Sequence, residues 1–390
     1  MRIAYIAQGK LHILEGQDKP RLIESRFAQD VIERSQRIAE NRAWRSGGGS
    51  GMWGNANVWN QRNDFDPTAI KISFSDVTAG GSPDEILYCL QTDRVCGMFS
   101  YQLDSCQETR LFHKNDFHLG DIHRHTQQPL VIASLEKANG ISNLVLFDGD
   151  SPHYREITDG DSRDEAPWWV PGEGKCVLYQ SAGVGRNGAG HVLGYGPSAL
   201  MELDLTSGKL RTLVESDRHD LLQPRRTPEG ELVFIRRPWR RDPWSQNRLW
   251  KQLTDLVLFP YRLGRAIIDY LNVFSLMYSR KPLKTAGGPP GKEEDVSKAM
   301  LRGRVLDVQK ALRQFQSAKE TPALVPRSWQ LVKRSPEGVE SLLAEGVSAF
   351  DLCENGDICY TNGTGIFRLG SQGGPERLAR DWLVDRVIAL

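Results

Sequence analysis

Short runs of continuous or alternating apolar residues, punctuated by turns rich in Pro, Gly and acidic side chains, recur along the chain. The clearest turn-plus-strand phrases are Ser82-Pro83-Asp84-Glu85-Ile86-Leu87-Tyr88, Pro171 to Lys175 followed by Cys176-Val177-Leu178-Tyr179, and Thr227-Pro228-Glu229-Gly230-Glu231-Leu232-Val233-Phe234. Glu354-Asn355-Gly356-Asp357-Ile358-Cys359-Tyr360 is a further copy, and Leu130-Val131-Ile132-Ala133 is a weaker one, with Ala133 where the others carry an aromatic. After each copy comes a second β-like segment, a tight turn and a third, best seen in Ala199 to Leu205, the turn Thr206-Ser207-Gly208, and Lys209 to Val214. Period-two alternation bounded by turn residues marks half-buried strands. With a strand such as Pro167-Trp168-Trp169-Val170 ahead of the turn, each unit has strands a to d, counted outward. Such four-stranded units, spaced roughly 45 residues apart, are the blades of a β-propeller.

The two ends of the chain complete this reading. Arg2 to Ala7, Leu11 to Leu14 and Arg21 to Glu24 read as strands b, c and d with no strand a before them, while Trp382 to Ile388 reads as a lone strand after a finished blade. The terminal strand then supplies the missing a, which closes the ring and leaves no open sheet edge at the junction. The expected architecture is an all-β, six-bladed β-propeller over residues 1–390. A weakly marked strand near Lys71 to Ser75 leaves a seven-bladed ring open. The phrases Ser82 to Tyr88 and Leu203-Asp204-Leu205-Thr206-Ser207-Gly208-Lys209 resemble the WD40-like (PD40) repeats of the TolB propeller family, a resemblance that implies a fold and no particular activity.

Three intervals exceed the repeat. Residues 26–66 join d to a between the first two blades and read as a helix followed by a Gly- and Trp-rich loop; Gly183 to Pro197 joins b to c in the fourth blade; and 239–327 joins b to c in the fifth. In a meander of this kind the b-to-c and d-to-a connections leave the same face. The opposite face keeps short turns such as Asp148-Gly149-Asp150, Gly172-Glu173-Gly174 and Pro336-Glu337-Gly338. Long loops on a rigid scaffold are where binding resides.

Within the largest insertion, Leu263, Ile267, Tyr270, Phe274 and Met277 share one helical stripe, and so do Leu301, Val305, Val308, Leu312 and Phe315. Breakers from Thr285 to Gly291 separate them, which predicts an antiparallel helical hairpin. Leu256, Phe259, Ile268 and Leu276 fall beside the stripe, and with Trp53, Trp59 and Trp239 they are the expected interaction residues. Asp255, Arg262, Arg265 and Asp269 interrupt the apolar run, so no transmembrane segment is expected.

Charge adds little to this picture. Lys and Arg number 50 against 49 Asp and Glu, a net charge of +1, which gives no global field for nucleic acid or acidic membranes. The local exception is Arg225, Arg226, Arg236, Arg237, Arg240 and Arg241 with Trp239 and Trp244, a cluster that would suit phosphate on a membrane surface or nucleic acid, although such arginines also pair with neighbouring acids along blade edges. The six cysteines show no CxxC pair, and the first residues form a strand and turn instead of a signal peptide, so a cytoplasmic protein with reduced thiols is expected.

Residues expected at the channel mouth on the insertion-bearing face are His118, Asp164, His219, Asp220, Glu345 and Asp381. Such a ring could hold a cation or move protons; the structural alternative is that its carboxylates satisfy backbone donors between blades. His123 and His125 have HxH spacing but lack a matched third ligand. Gly183-Val184-Gly185-Arg186-Asn187-Gly188 imitates a dinucleotide loop, yet the segment His191 to Leu205 is β-like and Gly-rich where the fingerprint needs a helix, and no cofactor or metal is expected. The sequence therefore points to a non-catalytic scaffold that binds a protein partner through the insertion-bearing face. A propeller-type hydrolase or lactonase using the acidic and His ring is the alternative, and peripheral binding to an anionic membrane or nucleic acid through the Arg/Trp cluster is a third.

Overall fold

The computed structural model describes residues 1–16, 19–47, 72–92, 95–137, 139–149, 153–239, 298–301, 304–307, 322–370 and 374–390, with 39–47 and 298–307 described by backbone alone. Sheet one contains β1 (Arg2–Ala7), β2 (Lys10–Glu15) and β3 (Arg21–Ile23), and the last strand of the chain, β27 (Val384–Ala389), pairs antiparallel with β1. Sheet two is β4 (Ser73–Ala79), β5 (Glu85–Gln91), β6 (Val95–Gln102) and β7 (Gln107–Asn115). Sheet three is β8 (His118–Arg124), β9 (Leu130–Glu136), β10 (Ser142–Asp148) and β11 (Tyr154–Glu156). Sheet four is β12 (Ser162–Trp169), β13 (Cys176–Arg186), β15 (Ala199–Asp204) and β16 (Lys209–Val214), with β14 (Val192–Tyr195) paired to the far end of β13. A parallel bridge, Ser142 with Arg163, joins sheets three and four.

Sheet five is β17 (His219–Arg226), β18 (Leu232–Pro238), β21 (Gln330–Arg334) and β22 (Glu340–Glu345); sheet six is β23 (Ala349–Leu352), β24 (Ile358–Thr361), β25 (Gly365–Leu369) and β26 (Glu376–Arg380). The innermost strands neighbour one another in the order β4, β8, β12, β17, β23, β27 and back to β4. Strand β4 lies a few residues later than the segment first marked, because a register shift between Phe74 and Asp76 breaks its alternation.

The repeated aromatic of strand b now has a physical role. The apolar core is divided into clusters between consecutive sheets, and Tyr88, Tyr179, Phe234 and Tyr360 each occupy one of these gaps. Tyr5 of β1 does the same between sheets six and one. Where the repeat carries Ala133 instead, Phe112, Phe147 and the partly buried Tyr154 converge on one another and take up the space. Each such side chain buried between sheets contributes on the order of 1.5–3 kcal/mol.

Among the described residues there is one helix, α1 (Arg26–Gly47), which follows β3. Ser25 caps it, accepting from the Ala28 amide at 3.1 Å, and the Glu108 carboxylate accepts from the Phe27 amide at 3.1 Å and from the Ser25 hydroxyl at 2.5 Å. Negative charge at a helix N-terminus is favourable. Phe27 and Ala28 pack on the cluster between sheets one and two, while later residues such as Ile38 are exposed.

The structure corrects one expectation. Strands β19 (Lys298–Leu301) and β20 (Arg304–Asp307) form an antiparallel pair, where the second helix of the hairpin was to begin with Leu301 and Val305. Gly303 between them weakens a helix at that point. The first stripe, Leu263 to Met277, and Val308, Leu312 and Phe315 lie outside the described residues.

Candidate functional site

Five of the six inner strands are interrupted in a similar way, and β23 alone pairs with its neighbour in unbroken register. Register shifts fall in β4, β8, β12, β17 and at the β1–β27 pairing. Non-glycine residues with left-handed backbone accompany four of these shifts: Asp121 (φ 49), Ala166 (φ 51), Gln223 (φ 54) and Leu383 (φ 54). A bulge of this sort re-aims side chains and frees a backbone N–H from the ladder, and that donor must find a partner when buried.

The sheet before it in the ring supplies the partner. Asp76 of β4 accepts from the Ile122 amide at 2.5 Å, Asp121 of β8 from the Ala166 amide at 3.1 Å, and Gln180 of β13 from the Gln223 amide at 2.9 Å. Asp351 of β23 accepts from the Ala389 amide at 3.1 Å. Two buried arginines complete the belt. Arg386 of β27 pairs with Asp76 at 2.6 Å and with Asp121, so it ties sheets one, two and three. Arg225 of β17 pairs with Asp351 at 3.1 Å and lies over the Trp168 ring, tying sheets four, five and six. Burial raises the Asp351 carboxyl and lowers the Arg225 guanidinium relative to their usual values, and their mutual attraction opposes both shifts. Polar bonds thus cross every junction between consecutive sheets, from Gln180 of β13 at the fourth and from inner strands at the others.

Around this belt, Arg163 and Glu165 of β12 pair with each other, and Gln180 donates to Glu165 at 3.2 Å. His123 accepts from the Trp169 amide at 3.2 Å, and burial, then Arg225 and His125, hold its ring well below its ordinary value, hence neutral. The Nε2 of His125 bonds to the Gly174 carbonyl at 2.8 Å, and its Nδ1 accepts from the Gln127 and Gln128 amides. The two imidazoles serve different partners and share no ligand.

The expected channel-mouth residues are spread through this scaffold. Asp164 accepts from the Ser181 hydroxyl at 2.7 Å; Asp220 accepts from the Ser198 amide at 3.1 Å and from Arg237 at 2.9 Å; Asp381 accepts from the Tyr5 hydroxyl at 3.0 Å and the Trp382 amide at 2.7 Å. His118 bonds to Gln91, His219 to Ser216, and Glu345 is exposed at the end of β22. Among the described residues, the group of His, Cys, Asp and Glu ligand atoms that does converge is Glu173, Cys176 and Glu202, within 4.8 Å of one another. Arg226 pairs with both of its carboxylates, and burial beside Glu202 and Glu173 pushes the Cys176 thiol up to about 12. Arg226, joined at Glu202 by Arg211, already supplies the cationic partners of that cluster.

The basic cluster divides in the same manner. Arg225 serves the belt, Arg226 bridges Glu173 and Glu202, Arg236 pairs with Glu340 at 2.7 Å, and Arg237 pairs with Asp220 while lying over the Trp329 ring. Arg240, Arg241 and Trp244 lie outside the described residues, as do Trp53, Trp59, Leu256, Phe259, Ile268 and Leu276. Trp239 is half-buried, and its amide donates to the Arg218 carbonyl at 2.9 Å.

The insertion in sheet four is a ribbon of β13 and β14. Arg186 anchors it by a fork on Asp161 and a bond to the Asn139 carbonyl, the Tyr195 hydroxyl donates to the Gly140 carbonyl at 3.1 Å, and Arg163 lies 4.8 Å over the Tyr195 ring. The tip is held down, yet Leu193 remains 63% exposed. Sequence reasoning missed Asp76, Asp121, Asp351 and Arg386 as a set. Their signal was present as a charged residue inside each of four inner-strand segments.

No protein-family model matches the chain, and no curated protein matches it in sequence. Among solved structures, TolB from Acinetobacter baumannii aligns with a TM-score of 0.51 and 10% identity, over 99% of this chain and 66% of TolB, so the chain spans just under two thirds of that protein's length. The tricorn protease (TM-score 0.47, 9% identity, 99% of this chain and 33% of that one) and a chain of the Nidogen/Laminin complex (TM-score 0.46, 6% identity, 99% and 97%) also align. No helix among the described residues is long and apolar enough to cross a membrane. In sheet arrangement, repeated strand-b aromatics and structural likeness, the chain resembles the TolB-like β-propellers.

Proposed function

We propose that the chain is a six-bladed propeller, closed by β27, that works as a non-catalytic scaffold and binds a protein partner through its insertion-bearing face. The observation that carries this reading is the asymmetry between the two faces. Helix α1, the β13–β14 ribbon and the 239–327 segment all leave b-to-c or d-to-a connections, while the a-to-b and c-to-d connections are short turns such as Thr206 to Gly208 and Ser335 to Val339. Loops on a scaffold tied together at its axis can vary without disturbing the core. The charged side chains of the axis support the same reading, because Asp76, Asp121, Asp351, Arg225 and Arg386 are engaged in holding sheets to one another.

Replacing residues 247–318 by a short Gly-Ser linker tests the proposal. The segment joins β18 to β21 from outside their ladder, so excision leaves the sheet intact and changes loop-closure entropy only slowly with length. The excised protein is expected to fold and to lose the partners that full-length protein captures from cell extract. Recovery of the same partners with both proteins would show that this insertion is not the binding element.

A further inference from the structure

Four Asn-Gly steps occur in the chain, at Asn139, Asn187, Asn355 and Asn362, and all four fall among the described residues. At such a step the backbone nitrogen can attack the preceding side-chain amide, because glycine puts no Cβ in the way. In three of them the glycine is committed elsewhere. Gly140, Gly356 and Gly363 are left-handed (φ 79, 82 and 93), and their amides donate to the Lys137 carbonyl, the Cys353 carbonyl and the Thr361 hydroxyl, each at 3.0 Å. Gly188 differs. It is exposed in the turn between β13 and β14, its backbone is not left-handed, and its amide donates to none of the described residues. The Oδ1 of Asn187 accepts from the Ala189 amide at 3.0 Å and from the His191 amide at 2.9 Å, while its Nδ2 donates to none of the described residues. At Asn355, by contrast, Nδ2 is held by the Asp357 carboxylate at 2.8 Å.

We propose that Asn187-Gly188 is a self-modification site, at which the turn of the β13–β14 ribbon converts Asn187 to isoaspartate and aspartate with release of ammonia. A solvent base takes the Gly188 amide proton, and the nitrogen forms a bond to Asn187 Cγ. Negative charge gathers on Oδ1, where the Ala189 and His191 amides already donate, so the bonds that hold the side chain strengthen as the new bond forms. The Cγ–Nδ2 bond then breaks, and the departing nitrogen takes up a proton and leaves as ammonia. The product is a succinimide ring. Water adds to one of its two carbonyls, the C–N bond there opens, and the Gly188 nitrogen recovers its proton; opening at the backbone carbonyl gives isoaspartate, and opening at Cγ gives aspartate. No electrons are transferred, and the balance is one water in for one ammonia out. Either product places a negative charge beside Arg186, which anchors the ribbon to Asp161 and to the Asn139 carbonyl. Isoaspartate also adds a carbon to the main chain of a turn closed by the Asn187 amide on the His191 carbonyl at 3.0 Å and the Gly190 amide on the Asn187 carbonyl at 2.9 Å.

Peptide mass spectrometry of the folded, full-length protein, held in mildly alkaline buffer made with water enriched in heavy oxygen, decides the matter. Heavy oxygen should enter the Asn187 peptide about fivefold or more faster than the Asn139, Asn355 or Asn362 peptides, because each of those steps must first break a hydrogen bond made by its glycine amide. Part of the Asn187 product should be a substrate for an isoaspartyl methyltransferase. In urea-unfolded protein the four sites should react at comparable rates, since glycine follows each. Gly188→Ala, where nothing lies within 4 Å of the added carbon, should suppress the reaction at position 187 and unfold at the wild-type urea midpoint. Equal rates at the four sites of the folded protein would overturn the proposal. So would an inert Asn187 in folded protein whose unfolded form reacts, or an unchanged rate in Gly188→Ala, which would show that attack by the Gly188 nitrogen is not the step that releases ammonia.

Discussion

Arg386 carries more of the fold than its place near the end of the chain suggests, because it is 8% exposed and its charge compensates both Asp76 and Asp121. Removing one partner of a buried ion pair leaves an uncompensated charge and costs about 3–5 kcal/mol. Arg386→Met should therefore lower unfolding stability by about that much in urea titration, and adding Asp76→Asn and Asp121→Asn should restore part of it. An equal loss for single and triple variants would mean that the carboxylates matter only as backbone acceptors. His123 gives the pH dependence. Its ring is held neutral by burial first and then by Arg225 and His125, whereas the unfolded chain protonates it near 6.5. This contribution is present above that pH and declines as pH falls through it, by at most about 1.4 kcal/mol per pH unit. Denaturation at pH 7.5 and 5.5 should show the decline, and His123→Gln should flatten it.

At the scale of elements, α1 depends on its first turn, where Ser25 and Glu108 satisfy amides that the helix leaves open. Ser25→Ala should cost about 1 kcal/mol, read as a shifted denaturation midpoint. The strands were legible in the sequence because turn residues and a strand-b aromatic recur, and those aromatics do fill the gaps between sheets. The polar belt was not legible in the same way. Counting from the repeat pointed to Asp164, Asp220 and Asp381 at strand starts, but bulges in the middle of the inner strands place Asp76, Asp121 and Arg386 at the junctions instead, and a bulge inserts a residue that period-two reasoning does not register. The helical stripe through Leu301 and Val305 failed for a related reason. Its apolar residues also fit a short β-pair, and Gly303 tips the choice away from helix.

For the whole molecule, the pairing of β27 with β1 joins the two ends of the chain, and Arg386 on that strand reaches two further sheets. Deleting residues 382–390 should expose the β1 edge and the cluster around Tyr5, producing aggregation; a soluble truncated monomer with an unchanged thermal midpoint would contradict closure by this strand. With the axis committed to holding sheets together, binding is assigned to the insertion-bearing face. Site-specific photocrosslinking in cells tests that assignment most directly, with a photoreactive residue placed in turn at exposed Leu193 and Ile38 on the insertion-bearing face and at exposed Ser207 and Glu337 on the short-turn face. The account predicts adducts to a common protein partner from Leu193 or Ile38 and none to that partner from Ser207 or Glu337, while adducts only from Ser207 or Glu337 would contradict it.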